Sequence, residues 1–306
     1  MARIGTDTGG TFTDLVAADG RIAKVPSTPD DPGRAVREGL AQLAAAGVAM
    51  PDVLAHGTTV ATNALLTRTG AAVTLVTTAG FADVIEIARQ DRPSLYDASV
   101  DRPEPLVPRH RRLEVAGRLA ADGSELEPVP DDVAAAFEVP DGTEAVAVVL
   151  LHADRNPGHE RAVAGALRAA GWDVTASHEL APEFREYERT ATTVANAYLR
   201  PICRTYLHHL VAGDEGPAVL VMTSAGGLVP GADAEEQPAR LLLSGPAGGV
   251  LAGAAAAVAN GFADAVTFDM GGTSTDVCLV RGGRPEVAAE RAVDGLPVRL
   301  PSVDVH

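Results

Sequence analysis

The sequence predicts an α/β fold assembled from two related halves, and three observations carry that prediction. The octapeptide Asp7-Thr8-Gly9-Gly10-Thr11-Phe12-Thr13-Asp14 returns as Asp269-Met270-Gly271-Gly272-Thr273-Ser274-Thr275-Asp276, identical at six of eight positions and 262 residues away. Each copy follows a short apolar run and leads into another, the pattern of strand, Gly-Gly-Thr turn and strand. Between the copies, apolar runs of strand length alternate with longer stretches of helical periodicity. No short-period repeat or low-complexity segment competes with a duplicated domain.

Taken in order, residues 3–27 read as three short strands turning at Gly9-Gly10-Thr11 and Ala18-Asp19-Gly20. Asp31 is placed to cap a helix with Pro32 at its first position, and Val36, Leu40, Leu43 and Ala44 give it an apolar face ending at Gly47. This β-β-β-α order is how a ribonuclease H-like half-domain begins. A strand at 53–55 runs into His56-Gly57-Thr58-Thr59, followed by a helix through Asn63 and Leu66, a strand at 72–77 and a helix from Phe81 to Ala88. Residues 89–110 hold four prolines and many charges and read as a long irregular loop. A hairpin at Ala121-Asp122-Gly123 precedes a β-α-β unit with strands at 144–151 and 173–176 and a helix from Pro157 to Ala170. Residues 184–212 form the longest helical stretch, interrupted at Pro201. A strand at 218–222 then meets Thr223-Ser224-Ala225-Gly226-Gly227, and Leu241 to Gly249 opens an Ala/Gly-rich helix reaching Asn260. The second Gly-Gly-Thr hairpin follows, with strands at 285–290 and 296–305.

Composition narrows the function. The 306 residues carry a net charge of −16, which argues against nucleic acid or an anionic membrane as partner. Lys24 is the single lysine and no G-x-x-x-x-G-K-[ST] motif occurs, so a P-loop is excluded. Cys203 and Cys278 lack metal spacing and read as reduced core thiols of a cytoplasmic protein. No signal peptide is evident, and the apolar run Gly249–Ala259 is too short to span a bilayer.

Chemistry concentrates in the repeat. Paired glycines let the backbone turn N–H groups toward an anion. Asp7 and Asp269 are oxygen donors of the kind a hard cation needs, directly or through water. One copy alone is equally well a tight turn satisfying its own backbone. Two copies favour facing phosphate clamps around one Mg-nucleotide, with Asp7 and Asp269 on Mg²⁺ and Gly9, Gly10, Thr11, Gly271, Gly272 and Thr273 on the phosphates. Thr13 and Thr275 either assist or satisfy their hairpins, and Asp14 and Asp276 take structural roles on the far side of each turn. His56, Thr58, Thr59 and Asn63 gather hydroxyls and N–H groups at a strand-to-helix junction. There His56 is either an acid–base group near neutral pH or a local packing residue. Arg89, Gln90 and Arg92 either hold a substrate carboxylate or solvate a charged loop. Arg185, Glu186, Glu188 and Arg189 read as ion pairs on a helix.

With these residues in view, the chain resembles the hydantoinase A/5-oxoprolinase family, a branch of the actin-like ATPases. The matching blocks are Gly5–Asp14, His56–Leu66, Arg89–Pro93, Phe184–Thr190, Asn196–Leu199, Ser244–Val250 and Asp269–Asp276, in the family's order through nearly the whole chain. The resemblance implies two ribonuclease H-like domains with a mixed five-stranded sheet in each, residues 1–180 forming the first and 181–306 the start of an incomplete second. It also implies a split site for ATP and Mg²⁺ and ATP-dependent opening of cyclic amides such as 5-oxoproline or hydantoins. The catalytic candidates are Asp7, Asp269 and His56, with His56 resting on its own chemistry as above. Acetone and acetophenone carboxylases, kinases and a non-catalytic nucleotide-binding module remain alternatives. The family continues past the second hairpin into a Gly-rich adenosine-binding segment. The expected partner is therefore a second polypeptide or a C-terminal continuation, a hydantoinase B-like subunit among the candidates.

Overall fold

The computed structural model describes residues 2–28, 31–91, 93–97, 99–133, 138–210, 216–270 and 275–306. In chain order the elements are β1 Arg3–Thr8, β2 Phe12–Ala17, β3 Ile22–Pro26, α1 Pro32–Ala45, β4 Val53–Thr58 and α2 Val60–Leu66. There follow β5 Val73–Thr78, α3 Val84–Ile87, β6 Arg112–Val115, β7 Arg118–Leu119, β8 Glu125–Glu127, β9 Ala145–Val149, α4 Gly158–Ala169, β10 Val174–Ala176 and α5 Ser177–Leu180. The long helix α6 Glu186–Leu210 leads to β11 Ala218–Met222, β12 Leu228–Pro230, α7 Gly231–Glu236, α8 Ser244–Ala259, β13 Ala265–Met270, β14 Thr275–Arg281 and β15 Arg284–Pro285.

The chain divides into two compact units that interleave in sequence. One comprises Met1–Thr67, Ile202–Arg291 and Pro301–His306, the other Arg68–Pro201 and Ala292–Leu300. A contiguous division at residue 180 therefore does not follow the packing. The reason lies in the pairing, because β11 runs parallel to β4 with Leu220 opposite Ala55 and so returns residues beyond 202 to the N-terminal sheet.

That sheet has the order β12-β11-β4-β1-β2-β3. The three N-terminal strands form an antiparallel meander, β4 lies parallel to β1, and β12 turns back antiparallel on β11. It is mixed, as expected, but six-stranded. The additional strand comes from the turn at Gly226, whose φ of 83° lets Thr223 N–H bond Gly227 O at 2.8 Å. Helix α1 begins as the sequence indicates: the Asp31 side chain accepts from Arg34 N–H and proline stands in the first turn. Its buried face is Gly33, Ala35, Val36, Gly39, Leu40 and Leu43. Gly39 lets Leu15 pack directly on the helix, since a Cβ there would lie 2.1 Å from Leu15 Cδ1.

A separate sheet of the same unit, β13-β14-β15, holds the second hairpin in three strands among the described residues. Helix α8 packs on it and also on β4.

The second unit contains an all-parallel sheet, β10-β9-β5-β6, that the duplication does not foreshadow. Every residue of β5 and β9 is buried, in keeping with central strands of a parallel sheet. The helix expected from Phe81 to Ala88 shrinks to α3: residues 82–83 form a turn before it, and Ala88, at φ 53°, ends it where expected. Residues 88–108 contain no regular element among those described.

Candidate active site

The first hairpin places Asp7 opposite Asp14 on β2 and opposite Gly57 on β4. Gly57 is what makes room for the carboxylate: a Cβ there would lie 3.1 Å from Asp7 Oδ1. Partial burial raises the Asp7 pKa above the usual carboxylate value, and the nearby charge of Asp14 adds to the effect. Asp14 itself is paired on the surface with Lys24 Nζ at 2.9 Å, in line with a structural role. At the turn, Gly9 N–H bonds Phe12 O at 3.0 Å. Ser27 ties the turn down, donating through Oγ to Gly9 O at 2.7 Å and through N–H to Thr11 O at 2.9 Å. Thr13 is fully buried and its hydroxyl lies 3.1 Å from Ser27 Oγ, so it supports the hairpin from within.

Next to this turn lies a cavity of about 140 Å³ lined by Thr8, Gly9, Gly10, Ser27, Thr28, Pro32, Thr58, Thr59, Val60, Asn63 and Tyr206. The expected substrate-side residues Thr58, Thr59 and Asn63 thus share one cavity with Gly9 and Gly10 of the first clamp. The α2 entry is internally tied: Val60 N–H bonds Thr58 Oγ1 at 3.2 Å and Asn63 Nδ2 donates to Thr59 Oγ1 at 3.2 Å. Thr8 is buried, and its hydroxyl lies within reach of the Tyr206 phenol.

His56 occupies a different place from the one acid–base chemistry requires. It is fully buried in β4, one ring nitrogen 2.5 Å from Thr6 Oγ1 and the other 2.5 Å from the Tyr206 hydroxyl. Burial drives its pKa down to about 3, so the ring is neutral at physiological pH and does not open onto the cavity. The group that does reach the cavity is Tyr206, on the C-terminal half of α6. Burial raises its pKa to about 12, against the opposing effect of the Thr58 and Thr8 hydroxyls. Tyr206, Ser27 and Thr28 were not legible as site residues, because nothing in their sequence neighbourhood sets them apart from ordinary core or loop positions.

Arg89 lies in the other unit, on the parallel-sheet side, where its Nε donates to the buried carboxylate of Glu188 at 2.6 Å. That pairing replaces the expected free carboxylate clamp. Of the helix ion pairs expected within the 185–189 segment, Glu186–Arg189 is present at 3.8 Å, and the fully buried Arg189 also reaches Asp154 Oδ1 at 3.0 Å and Leu150 O at 2.8 Å. Arg92 falls outside the described residues.

In the second hairpin Asp269 and Asp276 are cross-strand partners, reproducing the Asp7–Asp14 register. Gly249 of α8 faces Asp269, with a Cβ position 3.8 Å from Oδ2. Thr275 is exposed at the start of β14, while Gly271, Gly272 and Thr273 lie outside the described residues. The α8 start is anchored beside the first site, Leu243 N–H bonding Thr62 Oγ1 at 3.0 Å and Ser244 Oγ donating to Thr58 O at 3.4 Å.

Residues 3–171 match the hydantoinase/oxoprolinase N-terminal region, and residues 189–306 match hydantoinase/oxoprolinase. The chain belongs to the hydantoinase/oxoprolinase family. Within it, the α subunit of caprolactamase from Pseudomonas jessenii is 38% identical over 99% of this chain and 47% of its own length. The 5-oxoprolinase of Saccharomyces cerevisiae is 32% identical over 99% of this chain and 28% of its own. The crystal structure of ATP-dependent caprolactamase from Pseudomonas jessenii superposes with a TM-score of 0.86 at 37% identity, covering 99% of this chain and 47% of that one. The nucleotide-free acetone carboxylase structure gives 0.81 at 25% identity over 100% and 48%. The chain thus spans half or less of the length of these hydantoinase/oxoprolinase relatives. The α/β architecture with mixed sheets is common to the compared structures.

Proposed function

We propose that this chain provides the phosphate-facing part of an enzyme that opens a cyclic amide at the expense of Mg-ATP, completed by further polypeptide. The observation that carries the reading is the duplicated hairpin. Both aspartates stand in the same strand register inside one compact unit, and the first opens beside a cavity of hydroxyls and glycines. The donor set fits the group: Asp7 and Asp269 are hard oxygen ligands for Mg²⁺, and Gly57 leaves the Asp7 carboxylate unobstructed. Gly9, Gly10 and Thr11, with Gly271, Gly272 and Thr273, clamp phosphates through backbone N–H groups and hydroxyls. Thr13 and Thr275 brace the two turns. Bound Mg-ATP would supply a phosphoryl group that makes the amide oxygen a better leaving group.

This chain's own contribution is positioning and charge neutralisation, the main protein task in such chemistry. Thr58, Thr59 and Asn63 hold the amide. Neutral His56 orients Tyr206: with hydrogen on Nε2 it donates to the phenol oxygen, which frees the Tyr206 O–H to donate toward the cavity. His56 is accordingly a positioning residue. In Asp7→Ala and Asp269→Ala, Mg-ATP affinity measured by calorimetry should fall at least ~10-fold with the fold intact by circular dichroism. Unchanged affinity in both variants would rule out the clamp assignment.

Likeness to acetone carboxylase favours a second reading, an ATP-binding subunit that activates a ketone or carboxylate donor. Mass analysis of the completed assembly's products from ATP with a lactam or with acetone separates the two.

A further inference from the structure

The second unit carries its own group of chemically able side chains. His152 and Asp154 lie on the turn that follows β9, and Glu186 opens α6. An imidazole nitrogen and two carboxylate oxygens, one atom from each residue, lie within 4.8 Å of one another, and all three residues are half-buried. We propose that His152, Asp154 and Glu186 form a site for a divalent transition-metal ion of the Zn²⁺ type, separate from the Mg-nucleotide site.

The place is one the fold singles out. The parallel sheet has the order β10-β9-β5-β6, so the chain goes from β5 toward one edge and from β9 toward the other. Ligands of such sheets bind past the carboxyl ends of the strands where the order reverses in this way. Thr78 ends β5 there, and its Oγ1 accepts Leu151 N–H at 3.0 Å, which anchors the turn carrying His152 and Asp154. Wholly buried Arg189 fixes the same turn from α6, donating to Leu150 O at 2.8 Å and to Asp154 Oδ1 at 3.0 Å.

Two carboxylates this close repel each other, and the Asp154 side chain, only 9% exposed, has little water to screen it. Arg189 offsets part of that charge. It holds one Asp154 oxygen but stays 3.8 Å from Glu186, beyond a hydrogen bond, while Arg155 lies 3.7 Å from Asp154 Oδ2 with most of its side chain in solvent. A metal ion suits what remains. Its ligands are a carboxylate oxygen of Asp154, one of Glu186 and a ring nitrogen of His152, and Arg189 orients the Asp154 carboxylate as outer hydrogen bonds do for metal ligands. The imidazole favours a Zn²⁺-type ion over Mg²⁺, which keeps its waters and takes oxygen donors. Once bound, the ion ties the turn after β9 to the start of α6.

The test titrates Zn²⁺ by calorimetry into the untagged, chelator-treated full chain, in an excess of Mg²⁺ that occupies sites made of hard oxygen ligands. One Zn²⁺ should bind with a Kd on the order of 1 µM. His152→Asn removes the imidazole yet tolerates the φ of 58° held at that position, and Glu186→Gln keeps the side-chain shape. Each variant should bind Zn²⁺ at least ~10-fold more weakly with unchanged circular dichroism, and if one misfolds the other decides. Zn²⁺ should also raise the Tm of the parent chain by at least about 3 °C, and of neither variant. Binding weaker than about 100 µM, or folded variants that hold Zn²⁺ as tightly as the parent, would overturn the site. Displacement of Zn²⁺ by the excess Mg²⁺ would overturn the assignment to a transition metal.

Discussion

The two copies of the hairpin share six of eight residues and the same Asp–Asp register, yet sit in opposite surroundings. In the first, Ile4, Thr6 and Thr8 are 2%, 5% and 7% exposed, covered on the side where Leu15 meets α1. The corresponding residues of the second, Val266, Phe268 and Met270, are 62%, 65% and 71% exposed. There α8 covers the other face instead, with Gly253 close against Thr267 and with Cys278 and Val280 buried. Strand β1 is flanked by β2 and β4, whereas β13 pairs, among the described residues, with β14 alone. An octapeptide dictates a turn and a carboxylate; what packs on either face is decided by residues far away in sequence.

The contrast is sharpest in stability. Leu15 is fully buried and its counterpart Val277 is half-buried. Leu15→Ala should cost about 3 kcal/mol in urea unfolding, as deletion of a well-packed core leucine does. Val277→Ala should cost less than about 1 kcal/mol. Equal losses would mean that the second hairpin is packed as tightly as the first.

A second test uses the histidine beneath the first hairpin. Because burial holds the His56 pKa near 3, the folded chain keeps it neutral while the unfolded chain takes up a proton near 6.5. The stability it contributes is complete above 6.5 and drains away as pH falls toward 3, by about 1.4 kcal/mol per pH unit. His56→Gln should flatten that slope in urea titrations between pH 7 and 5. An unaltered slope would show that another group drives the acid loss.

The glycines beside the two aspartates supply a third. Gly57→Ala brings a methyl to 3.1 Å from Asp7 Oδ1, tighter than ordinary contact, while Gly249→Ala stays 3.8 Å from Asp269 Oδ2. Magnesium–nucleotide affinity should drop ~10-fold in the first variant and less than ~2-fold in the second. The reverse order would place the dominant metal ligand on the second hairpin.

Much of this was legible in the sequence, and the boundary is instructive. The hairpins, the Asp31 cap and the Thr58–Asn63 cluster follow from local rules of turns, caps and spacing. The β-α-β unit that gives the parallel pair β9–β10 is legible too. The sixth strand, the addition of β5 and β6 to that pair and the interleaving of units depend instead on pairings between distant segments, which period and propensity do not encode. His56 shows the same limit at one residue. Its identity suggests a titrating group, but its neighbours Thr6 and Tyr206 lie 50 and 150 positions away and turn it into a neutral support. Arg89 likewise reads as a free cation until Glu188, 99 positions on, takes it.

The smallest expected effect concerns Asp7 itself. Burial, and then the charge of Asp14, hold its pKa above the ordinary value. A carboxyl shifted upward contributes stability below its unfolded pKa and loses it as pH rises through the folded value. Mg²⁺ needs the ionised form, so metal affinity should climb as pH rises through that same value. Asp14→Asn removes the second of the two causes. The half-maximal pH for Mg²⁺ association, followed by calorimetry with a fixed nucleotide concentration, should therefore move downward. The lost Lys24 partner should matter little, since that pair is exposed on both sides. A midpoint that moves upward or stays fixed would mean that Asp14 does not reach Asp7 electrostatically, and that burial alone sets the carboxylate.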